Sequence, residues 1–452
     1  MSFTRTLRAV GGAVVAGALL FGTAPIASAD QIRNEQWPLQ KFDAESIWKV
    51  STGKGVTVAV LDSPVDGSHA DLTGNVLPGK NFITGSGSAD QGTGNGADHG
   101  TAMASIIAGH GHGAGGADGV KGLAPDAKIL PVAVPGTSHD QSGAVQDMHL
   151  AQALRYAVDQ GAKVVNMSFG TGEVSISPEE QQAVDYARKH DVLLVAASGN
   201  DGIGTPAVPA GAPGVLAVGA VDNNGEIWKK SNFGSHLKLT APGVNIRSAS
   251  SIVDIHGKYR LADGTSDSTA YVSGAAALLR AKFPDLTAGQ IANRLIKTAS
   301  LPADQQGISL PDQHYGYGSI NPLSALTKDV PAGSKDGPFP ALSGGSSGPS
   351  SDPSSAAGDT GGGVKIASHK GLSAPFLILI AVVVLVILAI VLVVVLVAKK
   401  NRRNGPPPGG PGGFGGPGGS SGYMPNQQMP YQQQPGAPGS YPQGPPTQPP
   451  GH

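Results

Sequence analysis

The chain has 452 residues, of which 14% are charged and 5% aromatic, with a formal net charge of −1 and no cysteine. Near-neutrality offers no electrostatic footprint for nucleic acid, and the missing cysteines exclude disulfides, thiolate metal sites and cysteine nucleophiles together. The length suits one large domain or two ordinary ones, and much of the excess of glycine and proline, 67 and 36 residues, falls beyond residue 330.

Arg5 and Arg8 precede an apolar run over 9–21, and Ala27-Ser28-Ala29 supplies small residues at a cleavage position. Residues 1–29 therefore read as a secretory signal peptide, with the mature chain starting at Asp30. The polar arm that follows, 30–52, is too short for a core of its own. Trp37 and Trp48 are its expected anchors on the next domain.

From 56 to 61, VTVAVL is a β-branched apolar run of the kind buried on both faces of a parallel sheet, and it ends at Asp62. Similar runs recur at 129–134, 164–167, 192–197 and 215–218, with helical stretches at 144–159 and 178–189 between them. This alternation predicts an α/β fold over 53–328: a doubly wound, mostly parallel sheet flanked by helices. Ligands in such sheets bind at the carboxyl ends of strands, where Asp62, Ser168 and Asn200 fall.

Two helix starts carry reactive side chains. Asp98-His99-Gly100-Thr101 opens a small-residue helix over 102–108 and sets His99 at its beginning. GTSDSTAYVSGAAALLR, 264–280, holds Ser266 ahead of a run with no charge between Ala270 and Arg280, which is the pattern of a helix buried all round. Such an N-terminus presents unpaired N–H groups and a partial positive charge, which stabilise an alkoxide or a developing oxyanion. A serine there alone is most simply a helix cap. With His99 and Asp62 it supplies the nucleophile, base and orienting carboxylate of an acyl-transfer triad.

Past Thr327 the α/β pattern stops. Residues 329–373 form a Gly/Ser/Pro-rich linker. Residues 374–398, almost entirely Leu, Ile, Val and Ala, have the length and hydropathy of one transmembrane helix. Lys399, Lys400, Arg402 and Arg403 follow at once, which places the 399–452 tail in the cytoplasm and the large domain outside the cell membrane. The Pro/Gly/Gln-rich tail cannot bury a core. It is either inert or a partner ligand through its proline runs.

VAVLDSPVDGSHADL, DHGTAMASIIAG and GTSDSTAYVSGAAALL resemble, in this order, the three active-site signatures of the subtilisin-like serine proteases, the subtilases of peptidase family S8. AASGN ending at Asn200, MSFG at 167–170, SNFGSHLKLTAPG at 231–243 and GYGSINP at 316–322 are similar to further segments of that fold. The signal peptide, short arm, linker and single C-terminal span resemble the mycosins, the membrane-anchored subtilases of type VII secretion systems. The resemblance implies Ser266 as nucleophile, His99 as base and then acid, Asp62 as its orienting group, and Asn200 with the Ser266 N–H as oxyanion donors. It also implies a peptide-binding edge at Ser168, Phe169 and Gly170, with a side-chain pocket completed by Ala197, Ser198 and Gly199. The expected function is a membrane-anchored extracellular serine endopeptidase that acts on polypeptides in association with a type VII secretion complex. The alternatives are a catalytically weak scaffold of that complex and a peptide-binding adhesin.

Three positions depart from the family pattern. Pro64 stands where glycine is usual and threatens Asp62 with the loss of one donor. Asp267 replaces a usual Met or Phe after the nucleophile, where its charge favours the imidazolium and pushes activity to higher pH. Ala270 replaces a usual proline. No cofactor is expected, with calcium at Asp71 as the one alternative. His110 and His112 sit in a glycine-rich loop rather than a metal motif, and His69, His190, His236 and His256 carry no motif.

Overall fold

In a computed structural model of the chain, which describes residues 29–135, 149–170 and 175–342, the β-branched runs assemble into one parallel sheet. In chain order the elements are α1 (Ala29–Asn34), α2 (Trp37–Lys41), α3 (Ala44–Trp48), β1 (Thr57–Asp62), β2 (Lys80–Asn81), α4 (Asp98–Ala108), β3 (His110–His112), β4 (Asp118–Lys121) and β5 (Lys128–Ala133). They continue with α5 (Leu150–Asp159), β6 (Val164–Met167), α6 (Pro178–Lys189), β7 (Leu193–Ala197), β8 (Leu216–Val221), β9 (Leu237–Pro242) and β10 (Ile246–Asp254). The last four are β11 (Gly257–Ala262), α7 (Thr265–Lys282), α8 (Ala288–Thr298) and α9 (Pro322–Thr327).

Seven strands lie in the order β2-β5-β1-β6-β7-β8-β9, every pair parallel. The chain fills one side of β1 with β5 and β2, then crosses to place β6 on the other. That reversal opens a crevice at the carboxyl end of β1, where Asp62 lies beside Ala133 and Leu61 beside Met167.

Alternation along β1 divides the core. Val58 and Val60 join α4, α7 and α8 on one face, while Ala59 and Leu61 join α5 and α6 on the other. Every residue of α7 from Thr265 to Arg280 is buried. Arg280 is tolerated there because its guanidinium reaches the Asp191 carboxylate at 2.6 Å and the carbonyls of Asp191 and Leu286. Helix α5 starts at Leu150, within the expected 144–159. The hairpin β10–β11, which carries no strong periodic signal in the sequence, is antiparallel and feeds directly into α7.

The arm is part of the core, not an appendage. Leu39, Phe42 and Ile47 are buried in the cluster under α4 and α7, and the Phe42 ring meets Tyr271 edge-on at 5.8 Å. The Trp37 and Trp48 indoles donate to the carbonyls of Val244 and Leu123, and Gln36 pairs with the Lys121 backbone in both directions. At the other end, the expected linker begins as a docked segment: Arg294 binds the carbonyls of Lys328 and Val330, and Gln290 that of Gly333. Glycines make the fit possible, since a Cβ on Gly337 would overlap the Gly289 carbonyl. Among the described residues no helix is long and apolar enough to cross a membrane. Apart from Ala29, where α1 begins, the stretches expected as signal peptide, transmembrane helix and tail lie outside the described residues.

Candidate active site

Asp62 ends β1, fully buried, and both its oxygens approach His99 Nδ1, at 2.8 and 2.9 Å. The Ser63 N–H donates to the same carboxylate at 2.7 Å. Pro64 itself offers Asp62 no N–H; the turn is closed instead by Ser63, whose hydroxyl accepts the Gly100 N–H at 2.9 Å. Gly100 is needed there, since a Cβ would come within 2.2 Å of the Ser63 carbonyl oxygen.

His99 occupies the first turn of α4 and is 9% exposed. With Nδ1–H committed to Asp62, its lone pair lies on Nε2. Burial alone pushes the imidazole pKa down; the charge and hydrogen bond of Asp62 outweigh it, so the net shift is upward. Asp267 adds to the rise and Arg260 opposes it.

Ser266 stands in the first turn of α7, its hydroxyl donating to the Ser168 carbonyl at 2.8 Å. Ser168 returns a bond from its own hydroxyl to the Ser266 carbonyl at 2.9 Å, and Asn166 and Ser273 extend the network into the core. The helix that carries Ser266 is thus riveted to the end of β6 by buried polar groups. Asn200 is held by Thr265, whose N–H and hydroxyl both donate to its amide oxygen, at 3.0 and 2.7 Å. This commits the oxygen and leaves Nδ2 as the donor end. His99, Ser266 and Asn200 share one cleft of about 280 Å³.

The other expected substrate positions are arranged beside it. Ser168 and Phe169 are buried, with the Phe169 ring packed in the core cluster of α5 and α6. It therefore offers a backbone edge, not a side chain, to a ligand. Gly170 is exposed, and a Cβ there would strike Ala207. Ala197 ends β7, Ser198 is buried against the Asn232 carbonyl, and Gly199 has φ +114° with Asn232 where a Cβ would go.

Asp267 stands in the first turn of α7. It is 1% exposed and lines the cleft, and its Oδ1 has no hydrogen-bond partner among the described residues. Burial pushes its pKa up, only partly offset by Arg260 and His99, so the carboxyl is biased toward its neutral form. Asp71 does not fit a calcium ligand. It is fully buried, with one oxygen 2.6 Å from His112 Nδ1 and the other accepting the Val120 N–H at 2.9 Å. Among the described residues no cluster of His, Asp or Glu has metal-binding geometry. His69 bonds the Lys258 carbonyl, His110 that of Thr73 and His190 that of Tyr186. His256 is exposed, and burial pushes the pKa of His236 down to about 4.

Sequence reasoning missed Thr265, Ser63 and the pairing of Asp98 with Arg260. The first two were within reach, as polar residues adjoining expected site residues; the third carries no local signal.

The Peptidase_S8 subtilase family model matches residues 53–318. Subtilisin Savinase of Lederbergia lenta is 40% identical over 275 residues, which span 61% of this chain and 91% of that protein. The alkaline protease of Alkalihalobacillus alcalophilus is 40% identical over 275 residues, 61% of this chain but 65% of its own longer length. Among solved structures, MycP1 from Mycobacterium smegmatis is 30% identical, with 70% of this chain and 90% of that one covered at a TM-score of 0.55. MycP3 from the type VII (ESX-3) secretion system is 31% identical, with 65% and 88% covered at a TM-score of 0.53.

Proposed function

Since the chain belongs to the subtilase family of serine proteases, we propose that Asp62, His99 and Ser266 are its catalytic triad, acting on polypeptides outside the cell from a membrane anchor. The observation that carries this is the two-oxygen contact of Asp62 with His99 Nδ1, in the cleft that His99 shares with Ser266. Substrate binding moves the Ser266 hydroxyl from the Ser168 carbonyl to His99 Nε2. The oxygen attacks the scissile carbonyl while His99 takes its proton, and Asp62 stabilises the imidazolium. Asn200 Nδ2 and the Ser266 N–H receive the oxyanion at the start of α7, where the helix dipole favours negative charge. His99 then protonates the departing amine, and water repeats the cycle on the acyl-enzyme.

The anchored topology rests on the signal pattern of 1–29, the apolar span 374–398 and the four cations after it. The likeness to MycP1 and MycP3, the latter from a type VII secretion system, supports processing of secreted polypeptides beside such a complex. The bond from Ser266 to Ser168 favours a second reading, a silent scaffold with its nucleophile held in place. Treating the full-length chain in membranes with a serine-directed fluorophosphonate separates the two. Labelling of Ser266 that vanishes in His99→Ala supports the protease; an unlabelled, folded chain supports the scaffold. N-terminal peptide mass spectrometry of material secreted by parent and Ser266→Ala strains then tests the physiological role.

A further inference from the structure

The cleft holding Ser266 extends to one side of the triad. Besides His99 and Asn200, its lining comes from the start of α4, from β11 and from the start of α7. His99 must hand its proton to the departing amine, so the leaving half of a substrate lies on the His99 side. The acyl half runs along 168–170 and 197–199.

That leaving-group side is acidic. Three carboxyls line it, Asp98, Asp263 and Asp267, against one cation, Arg260. Arg260 is already committed, 2.9 Å from Asp98, which also accepts from Ser250 and the Ser251 N–H. Asp263 is exposed, with one oxygen accepting the Asn245 N–H. Asp267, a cleft-lining residue, lies beneath, 1% exposed, and its buried Oδ1 has no hydrogen-bond partner among the described residues. A buried carboxyl oxygen left unpaired costs free energy unless a donor arrives.

We propose that this side of the cleft is a subsite for a cationic side chain, with Asp263 and Asp267 selecting lysine or arginine at the residue just after the scissile bond. The inference rests on the triad reading above and adds the substrate class. Burial now holds the Asp267 carboxyl toward its neutral form, with Arg260 and His99 pulling the other way. A bound cation joins that pull and draws the proton off, so binding and ionisation reinforce each other.

Acyl transfer isolates this subsite. The full-length chain in detergent is given one peptide methyl ester: Ser266 displaces methanol, which leaves with the proton from His99. An added amine then attacks the acyl carbon, its proton passes through His99 to the Ser266 oxygen as that bond breaks, and a new amide is released. The ratio of aminolysis to hydrolysis, with argininamide, lysinamide, leucinamide or glutamic acid diamide as nucleophile, reports the leaving side alone. Argininamide and lysinamide are expected to exceed leucinamide by about tenfold at low salt, with the diamide no better than leucinamide. Asp267→Asn should narrow that gap, and Asp263→Asn, at an exposed position, gives the same test should the first variant not fold. Equal partitioning of all four amines with ester turnover intact, or an unchanged gap in the Asp263→Asn protein, overturns the inference alone. A folded chain without ester turnover overturns the triad reading and this inference with it.

Discussion

Arg260 reaches across to Asp98 at 2.9 Å, joining the strand that leads into the helix of Ser266 to the residue before His99. Its neighbours act alike: Lys258 Nζ lies 2.8 Å from Asp66, and the Tyr259 hydroxyl lies beside Asp71. Three consecutive residues of β11 thus each face a carboxylate on the β1–α4 side, fixing Ser266 relative to His99.

Arg260→Met tests that tie. Asp98, largely buried, would keep only Ser250 and the Ser251 N–H. The expected loss is about 1–3 kcal/mol in urea unfolding, as for a buried acceptor that loses a charged partner. The guanidinium also lowers the His99 pKa, so its removal should move the acid limb of kcat/KM to higher pH. A limb that stays in place would show that Arg260 is only structural.

The sign of the pH dependence follows from His99 itself. It must be neutral to take the Ser266 proton, and Asp62 raises its pKa despite burial. Activity should therefore fall as pH drops through a value above the ordinary ~6.5 of histidine. Asp267→Asn removes a carboxylate that contributes to the rise, so the limb should shift to lower pH. A profile that moves upward contradicts the placement of Asp267 beside His99.

The arm makes a separate prediction. Ile47 is fully buried among core residues although it lies before the first strand. Ile47→Ala should cost roughly 2–5 kcal/mol, the usual range for emptying such a site, read as a lower urea midpoint. The kcat/KM at 25 °C should remain near the parent value, because no arm residue lines the cleft among the described residues. A rise in activity would instead reveal an inhibitory arm.

What the sequence disclosed and what it hid separate along physical lines. Asp62, His99 and Ser266 were legible because each sits where a periodic pattern starts or stops, and His99 stands beside Gly100, whose backbone packs against the Ser63 carbonyl. The strands were legible because β-branched runs have few other uses. The pairing of Asp98 with Arg260 spans 162 residues and depends on the register of a hairpin with mixed composition. The docking of 328–342 was hidden for another reason: Arg294, Gln290 and Thr287 bind its backbone carbonyls, and any sequence supplies those. Composition alone made this stretch look like linker.

Asn200 and Thr265 give the most discriminating kinetic test. Removing one oxyanion donor costs about 10²–10³ in kcat, so Asn200→Ala should fall in that range with KM little changed. Thr265 touches no reacting atom; it acts by holding the Asn200 amide oxygen through its hydroxyl at 2.7 Å, while its N–H keeps a second bond at 3.0 Å. Thr265→Val loses only the hydroxyl, and a partly anchored amide should cost about tenfold in kcat. The double variant should be little slower than Asn200→Ala alone, because the Thr265 hydroxyl then holds only the Gly199 N–H, at 3.3 Å. Additive losses in kcat would mean that Thr265 contributes by another route, and an unchanged kcat in Asn200→Ala would remove Asn200 from the oxyanion site.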